Sequence, residues 1–307
     1  MKQTNKLGIL IPVFNESESI YQIVDTIKKL KFLKDSFETF QVLVVDDGST
    51  DDTSSQLLKL SDINVITHGY NMGVGAAVRD GLLFFEEKNF DYVVKLDGDL
   101  QHDPNEIEKI LLPLINNESD LVYGDRFSGN IDYKMPKHRK FGNKFFSYLM
   151  KKLTKYNITD SQPGFFAGNK KFLKNFYILT NYNYTQQIIY SSYLAGLRFC
   201  QVPINFRERV YGSSFVKFTY PFKAILQIFL MMVIKKPLII FGNTGLSFLL
   251  FAILISIFQL INYLSNDFLK PIQNTNLVLG FGIAGIVFLL TGIILKAIQN
   301  LEETKRR

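Results

Sequence analysis

The sequence predicts an α/β domain with a mainly parallel sheet, followed by a short interfacial helix and a two-helix transmembrane hairpin. Up to residue 121, short apolar runs alternate with amphipathic stretches, a pattern typical of βαβ units. In the last third, two almost uninterrupted apolar runs cover 244–261 and 277–295, and each is long enough to cross a bilayer. We therefore place the α/β domain at 1–217, the interfacial helix at 218–236 and the hairpin at 237–307.

The α/β part is predicted to alternate between strands and helices. Strands are expected over 7–13, 41–45, 64–67, 92–96 and 121–123, and helices over 19–30, 53–60, 74–85 and 105–115. Beyond residue 124 the periodicity weakens. Ligands of parallel sheets bind at the carboxyl ends of the strands, so the residues that follow each strand are the candidates for a functional site.

The charge around the two apolar runs predicts how they cross the membrane. The spans are placed at about 243–264 and 276–298, with basic residues before the first and after the second. The connector holds only Lys270 against Asp267, so the positive-inside rule puts both ends in the cytoplasm. No secretory signal opens the chain, and we expect an integral membrane protein with its N-terminal domain in the cytoplasm. The alternatives are two buried helices of a soluble domain and, for 221–234, a core helix rather than an interfacial one.

The composition restricts the chemistry. The chain of 307 residues has a net charge of +7 and one cysteine, Cys200, which excludes an internal disulfide and cysteine-based zinc sites. Between residues 130 and 160, eight lysines and arginines are interleaved with phenylalanines and tyrosines. This segment predicts a surface that rests on anionic lipid or binds a phosphate, with a solvated helix face as the alternative.

Two carboxylates and an amide follow the strand predicted at 92–96. Asp97, Asp99 and Gln101 alternate along a turn, so their oxygens can meet one hard cation. Mg²⁺ or Mn²⁺ accepts such ligands and can also bridge a diphosphate, which the carboxylates alone would repel. The alternative is that the aspartates only form the turn.

Two further segments follow predicted strands. Asp46 and Asp47 end the second strand, where a carboxylate beside a glycine turn can bind a base or a ribose, although a surface turn looks similar. Gly73 and Gly75 open the helix at 74–85, which indicates either close approach of a ligand or packing of the helix on the sheet. The phosphate-binding Gly-Lys-Ser/Thr motif and the dinucleotide glycine pattern are both absent from this stretch.

Taken in order, these motifs resemble the family 2 glycosyltransferases of the GT-A type, and within them the polyprenyl-phosphate sugar synthases. Those include the dolichyl-phosphate mannose and glucose synthases and their undecaprenyl-phosphate relatives. The resemblance covers about 7–215 and adds further motifs at 124–126, 160–165, 202–204 and 209–214. It implies a GT-A (Rossmann-like) catalytic domain and inverting transfer of a sugar.

The resemblance also implies a role for each candidate residue. The nucleotide of the donor would be held by Pro12, Phe14, Glu16, Val45, Asp46, Asp47, Asp97, Gly98 and Arg209. The metal, Mg²⁺ or Mn²⁺, would be held by Asp97, Asp99 and Gln101, and the catalytic set would be Asp99, Arg126, Arg139 and Arg209. Within this set, Arg126 lies near the reacting phosphates and Arg139 binds the acceptor phosphate. The chain departs from the family at Phe215, where lysine is common and Lys217 follows two residues later, and at Gln201, where glutamate is usual.

The function that these features predict is metal-dependent transfer of one sugar from a nucleotide-sugar, of the UDP-glucose or GDP-mannose class, to a polyprenyl phosphate at the cytoplasmic membrane face. A phosphate acceptor is already anionic and needs no strong base. Transfer to a hydroxyl of a glycan, glycolipid or protein is the first alternative and would need a carboxylate base such as Asp160. A non-catalytic nucleotide-sugar-binding protein is the second. Nucleic acid is a poor partner for this combination of features, and a homo-oligomer stays open.

Overall fold

A computed structural model describes residues 3–133, 135–209, 220–265 and 269–305. The chain divides into two compact units, Met1–Ala224 and Ile225–Arg307, and each is described by itself. In chain order the elements are β1 (Gln3–Val13), α1 (Ile20–Lys29), α2 (Lys31–Ser36), β2 (Phe37–Asp46), α3 (Thr53–Leu57), β3 (Ile63–Thr67), α4 (Val74–Glu87), β4 (Tyr92–Lys95), a 3₁₀ turn (Pro104–Glu106), α5 (Ile107–Ile115), β5 (Leu121–Asp125), α6 (Lys137–Thr154), β6 (Phe166–Asn169), α7 (Lys170–Leu173), α8 (Tyr184–Leu194), β7 (Phe199–Pro203), α9 (Tyr220–Lys235), α10 (Pro237–Leu264) and α11 (Thr275–Lys305).

The first unit is built on one seven-stranded sheet in the order β3-β2-β1-β4-β6-β5-β7. All neighbouring strands are parallel except β6, which runs antiparallel to both β4 and β5. The prediction of a mainly parallel α/β sheet is therefore confirmed. In the register of β1 with β2, Val13 lies opposite Asp46, so the residues that follow these two strands meet at one edge of the sheet.

Helices cover both faces of the sheet, which explains why β1 is apolar from Leu7 to its end. Leu7, Ile9 and Ile11 face the cluster formed with α1 and α5. On the other face Leu10 lies against α4, where it contacts the position of Gly81. Because strands alternate the direction of their side chains, burial on both faces requires a continuous apolar run rather than an alternating one.

The amino end of α4 packs against the backbone of a later loop. Gly73 has φ +98°, a conformation that favours glycine, and the amide of Gly75 donates to the carbonyl oxygen of Asn181 at 3.0 Å. A Cβ on Gly75 would lie 2.6 Å from the carbonyl carbon of Asn181. These glycines allow the loop to approach α4, so packing explains them without a ligand.

The second unit consists of the end of α9 and two long apolar helices. Both α10 and α11 are long and apolar enough to cross a membrane. In the most apolar stretch of each helix, only 11% is buried within the protein. They pack closely where Gly245 meets Gly285, since a Cβ on Gly245 would lie 2.7 Å from the carbonyl oxygen of Gly285. The side chain of Gln259 accepts hydrogen bonds from the amides of Gln273 (2.7 Å) and Asn274 (3.0 Å), which ties the connecting turn to α10. Asp267 of the connector lies outside the described residues.

Replacing Gly75 tests whether α4 depends on this close approach. We expect Gly75→Ala to destabilise the first unit by about 1–3 kcal/mol, because the added methyl group meets backbone atoms that cannot rotate away. Gly69→Ala is the matched control, since no atom lies within 4 Å of a Cβ built at that position. The measurement is thermal unfolding of both variants in detergent. Equal melting temperatures for the two would contradict the packing explanation.

Candidate active site

The loop that follows β4 forms the centre of the candidate site. Asp97 and Asp99 lie at the carboxyl end of this strand, as predicted. The amide of Gln101 donates to Asp99 at 3.1 Å, and Leu100 between them has φ +63°. This tight turn keeps the two carboxylates at the same edge of the sheet as Asp47 and Glu16, where ligands of parallel sheets bind.

Asp97 is held by a buried lysine two residues earlier in the chain. The ammonium of Lys95, whose side chain is fully buried, pairs with Oδ1 of Asp97. It also donates to the carbonyl oxygen of Gly164 and to the hydroxyl of Tyr184, both at 2.8 Å. Desolvation would raise the pKa of Asp97, but Lys95 outweighs it and holds that pKa below its ordinary value. Lys95 was not predicted to belong to the site, because it stands inside an apolar strand.

His102 supports Asp97 from the other side. Its Nδ1 accepts a hydrogen bond from the amide of Asp97 at 3.2 Å and lies 3.5 Å from the Oδ2 atom of that residue. The ring is buried between Phe165 and Phe206, with centroids 5.3 Å away in both cases. Burial lowers the pKa of His102, which agrees with a neutral imidazole that accepts through Nδ1. Its Nε2 has no hydrogen-bond partner among the described residues.

A single arginine joins the second carboxylate to Glu16. Nη2 of Arg209 lies 2.7 Å from Oδ2 of Asp99 and 3.2 Å from Oε1 of Glu16. Burial raises the pKa of Glu16 to about 7, although the charge of Arg209 opposes that shift. The structure therefore brings together Asp99 and Arg209, which were both predicted to be catalytic. It adds Glu16, which was predicted to bind the nucleotide.

Asp47 organises the glycine loop before α4. Its two carboxylate oxygens accept from the amides of Met72 (3.0 Å) and Gly73 (2.7 Å) and contact Nδ1 of His68 at 2.7 Å. The side chain of Asp47 is only 4% exposed. The contacts of Asp47 hold the glycine loop in place, and its role in binding a nucleoside stays a prediction.

The other residues predicted to hold the nucleotide lie along the same edge of the sheet. Asp46 is buried at the end of β2 and accepts from the amide of Ser49 at 2.9 Å. Pro12 pairs with Val45 across β1 and β2, and the carbonyl of Gly98 accepts from Ser19 at 2.5 Å. Phe14, partly buried, follows β1 directly.

Arg126 lies at the end of β5 in a buried ion pair. Its Nε lies 2.6 Å from Oδ2 of Asp160, its Nη2 lies 3.0 Å from Oδ1, and it also donates to the carbonyl of Gln162. Asp160 is fully buried and accepts from the amide group of Asn143 at 2.8 Å. Desolvation opposes ionisation, yet Arg126 lowers the pKa of Asp160 below its ordinary value. Both oxygens are engaged, so Asp160 is poorly suited to act as a base.

Other predicted residues lie around this centre. Arg139 stands in the first turn of α6 and is half-buried, and the side chain of Gln101 donates to the carbonyl of Arg207 at 3.3 Å. Gln201, at the departure noted in the sequence, binds the backbone of Asp160 through its side chain. The remaining predicted positions lie outside the described residues: 210–214, Phe215 and Lys217.

The donor atoms at this site suit a hard divalent cation. Asp97 keeps a side chain that is 32% exposed, and Asp99 and Gln101 contribute a second carboxylate and an amide oxygen from the same turn. Within the part of the chain that the structure describes, no three His, Cys, Asp or Glu side chains lie close enough to hold a metal by themselves. The predicted set of two carboxylates and one amide fits Mg²⁺ or Mn²⁺ when waters or substrate oxygens fill the remaining coordination positions.

The fold and this carboxylate loop define a glycosyltransferase of the GT-A type. Residues 8–176 match the family described as glycosyl transferase family 2. Since the match covers more than half of the chain, the protein belongs to that family.

Two of the relatives are named as sugar transferases. The chain is 31% identical over 183 residues to a UDP-N-acetylglucosamine–dolichyl-phosphate N-acetylglucosaminyltransferase of Methanococcus voltae, covering 54% of this chain and 70% of that protein. It is 29% identical over 221 residues to a dolichol-phosphate mannosyltransferase of Pyrococcus furiosus, covering 69% and 59% respectively. Glucosyl-3-phosphoglycerate synthase of Mycobacterium tuberculosis superposes with a TM-score of 0.58 at 18% identity, over 74% of this chain and 80% of that one. That structure contains Mn²⁺ and UDP.

The raised pKa of Glu16 predicts a pH dependence of stability. A carboxyl group whose pKa is raised in the folded state stabilises the protein at low pH and loses that contribution as the pH rises through the folded pKa. In the absence of metal, we expect the melting temperature of the wild type to fall relative to Glu16→Gln between about pH 5 and pH 8. This difference in melting temperature corresponds to a change in the free energy of unfolding on the order of 1–3 kcal/mol.

The measurement is thermal unfolding of both proteins in detergent with EDTA across that pH range. Glu18→Gln is the control, because this glutamate lies two residues further on, in the same loop before α1. Parallel curves for the wild type and Glu16→Gln would show that Glu16 does not titrate in this window.

Proposed function

We propose that the protein transfers one sugar from a nucleotide-sugar to the phosphate of a polyprenyl lipid at the cytoplasmic face of a membrane. The observation that carries the choice of acceptor is the state of Asp160, whose two oxygens are taken by Arg126 and Asn143. A hydroxyl acceptor needs a base at the reacting oxygen, whereas a phosphate does not. The names of the relatives from Methanococcus voltae and Pyrococcus furiosus, which both contain dolichyl or dolichol phosphate, support this choice.

The reaction breaks the bond between the anomeric carbon and the diphosphate and forms a bond to an oxygen of the lipid phosphate. The nucleoside diphosphate leaves with the bonding electrons, and no proton needs to be removed from the acceptor. The nucleotide-sugar and the lipid phosphate are both anionic, so the protein must supply positive charge where the two molecules meet. We assign this role to Arg126 and Arg139 on the acceptor side and to Arg209 on the donor side.

Arg209 is suited to respond to the donor. It is bound to Asp99 and Glu16, and its side chain is 22% exposed. A diphosphate offers the guanidinium a stronger bidentate partner than one carboxylate oxygen does. We infer that donor binding moves Arg209 from Asp99 to the diphosphate.

Asp97, Asp99 and Gln101 are the residues that we propose hold Mg²⁺ or Mn²⁺. Bound there, the cation would offset the negative charge of the leaving diphosphate. Lys95 keeps Asp97 ionised, and His102 accepts a hydrogen bond from its backbone amide. The release of Asp99 from Arg209 would free an oxygen ligand. The presence of Mn²⁺ and UDP in the Mycobacterium tuberculosis neighbour supports a divalent metal and does not decide between the two ions.

The membrane helices agree with a lipid acceptor. We propose that α10 and α11 anchor the protein with both ends in the cytoplasm, as the distribution of lysines and arginines predicts. This orientation puts the catalytic domain on the side of the membrane where nucleotide-sugars are made available.

Among the residues that the structure describes, Glu16 favours a hydroxyl acceptor. Burial raises its pKa to about 7, and a general base acts best when its pKa is near the working pH. Under that second hypothesis, Glu16→Gln would abolish transfer. Under the phosphate hypothesis the same variant would weaken donor binding and leave turnover at saturating donor within about 10-fold of the wild type.

The proposed reaction is tested by extraction of a lipid product. Purified protein in detergent receives a polyprenyl phosphate, Mg²⁺ or Mn²⁺, and UDP-glucose, UDP-N-acetylglucosamine or GDP-mannose in turn. We expect one donor to give an organic-soluble sugar lipid, and EDTA to prevent it. Asp99→Asn should lower the rate roughly 100-fold or more, because it removes a charged ligand of the proposed cation that offsets the charge of the leaving diphosphate. Asp35→Asn, at an exposed position of α2, is the control. Release of nucleotide without a lipid product would reject the phosphate acceptor.

Replacing Arg139 separates the acceptor from the donor. We expect Arg139→Ala to raise the KM for the polyprenyl phosphate about 10-fold or more, since a charge-assisted hydrogen bond to phosphate is lost. The Kd of the nucleotide-sugar, measured by calorimetry, should not change. Lys34→Ala on α2 removes an exposed positive charge elsewhere and is the matched control. If Arg139→Ala weakened donor binding as much as acceptor use, the assignment of Arg139 would be wrong.

A further inference from the structure

The loop between β3 and α4, residues 68–73, is folded around one carboxylate. At its start, Nδ1 of His68 lies 2.7 Å from Oδ1 of Asp47. At its end, the amides of Met72 and Gly73 donate to the two oxygens of the same side chain, at 3.0 and 2.7 Å. Asp47 is buried, so these contacts are shielded from water, and both ends of the loop are held at one point.

Three neighbouring elements hold the same loop in place. The amide of His68 donates to the carbonyl of Asp46 at 2.8 Å, and Nε2 of His68 lies 3.2 Å from Oδ2 of Asp80 on α4. Where the loop turns, its backbone lies on the glycine turn after β2, since a Cβ built on Gly48 would stand 2.5 Å from the carbonyl carbon of Tyr70. The backbone of Tyr70 is therefore fixed by β2, by the turn after it and by α4.

Tyr70 stands in the middle of this loop, and its side chain faces outward. It is 70% exposed, and its neighbours Gly69 and Asn71 are exposed as well. An aromatic ring has large apolar faces that gain free energy when a ligand covers them. Because the backbone is already fixed, covering this ring orders little beyond the side chain itself. The loop thus presents a preorganised aromatic surface.

This surface lies at the edge of the sheet where ligands of parallel strands bind. In the strand order β3-β2-β1-β4, the loop after β3 is separated from the loop after β4 by three strand spacings, roughly 14 Å. Asp47 and Phe14 follow the two strands between them. A ligand that places a diphosphate beside Asp97 and Asp99 and extends along this edge brings its far end to Tyr70.

We propose that Tyr70 is a stacking surface for the nucleobase of the donor nucleotide. In a nucleoside diphosphate the base is a flat aromatic group, joined to the diphosphate through the ribose, so it matches both the position and the shape of the Tyr70 ring. The inference rests on the proposed function, because it adds a contact to the same donor. It also makes Asp47 a positioning residue, since this carboxylate holds the loop that carries the ring.

Stacking on Tyr70 contributes affinity and does not choose between bases. Uracil and guanine both have a π-face, so a tyrosine ring accepts either of them. Discrimination between bases needs hydrogen-bonding groups of fixed direction, which the face of a ring does not offer. We therefore expect loss of the Tyr70 ring to weaken the binding of UDP and of GDP alike.

Substitution of Tyr70 separates the base from the diphosphate. In calorimetry with Mg²⁺ and the full-length protein in detergent, we expect Tyr70→Ala to raise the Kd of UDP or GDP, whichever the wild type binds more tightly, about 10-fold. Tyr70→Phe keeps the ring and should stay within about 2-fold of the wild type. Inorganic pyrophosphate, which has no base, should bind the wild type and Tyr70→Ala equally. Tyr21→Ala, on α1, is the matched control, since Tyr21 is also an exposed aromatic side chain (51%).

The absence of tryptophan from the chain allows the stacking to be observed directly. Tyr70→Trp gives a full-length protein with one tryptophan at the proposed surface, and a base that stacks on an indole quenches its fluorescence. We expect UDP or GDP to quench Tyr70→Trp saturably, with the Kd that calorimetry gives for the same variant. Tyr21→Trp should show no saturable quenching.

The outcomes separate this inference from the proposed function. If the wild type binds neither nucleotide, the nucleotide-sugar donor is wrong and the stacking is wrong with it. If a nucleotide binds but Tyr70→Ala binds it as tightly as the wild type does, the stacking alone is overturned. Equal weakening of nucleotide and pyrophosphate would show that Tyr70 only supports the loop. A Tyr70→Phe protein as weak as Tyr70→Ala would assign the contact to the hydroxyl instead of the ring.

Discussion

The pair between Lys95 and Asp97 is the contact on which the site depends. A buried ammonium needs acceptors for all three of its protons, and Lys95 finds them in Asp97, the carbonyl of Gly164 and the hydroxyl of Tyr184. These partners come from the β4 loop, the start of β6 and the start of α8. One side chain therefore ties three distant parts of the sequence to the first carboxylate of the site.

The carboxylates of the site are paired with cations of the protein itself. Asp97 forms an ion pair with Lys95, Asp99 with Arg209, and Asp160 with Arg126. Such pairing lowers the cost of burying charge, and it also means that any anionic or cationic ligand must exchange partners with the protein. The pairs differ in which member is exposed: Lys95 and Asp160 are fully buried, whereas Asp97 is 32% exposed and Arg209 22%. Lys95 and Asp160 are therefore fixed, and exchange of partners is easiest at Asp97 and Arg209.

The sequence was most informative where periodicity is strong. The first five strands and the helices α1, α3, α4 and α5 were predicted close to their observed positions, because each is long or bounded by turn residues. The strands β1 and β2 begin four residues earlier than expected, α3 ends three residues earlier, at Leu57, and α2 was not predicted. The strand β6 was missed, since four residues buried between two strands leave no alternation to detect. The closing strand was expected at 202–204 but runs from Phe199 to Pro203. Side-chain pairs such as Lys95 with Tyr184 join residues far apart in the chain, and no local pattern encodes them.

The antiparallel strand β6 has a geometric consequence. Because it stands between β4 and β5, the ends of those two parallel strands are separated by two strand spacings, roughly 10 Å, instead of one. Asp97 and Asp99 follow the first of these ends, and Arg126 follows the second. The inserted strand thus works as a spacer that sets the distance between the carboxylate loop and Arg126.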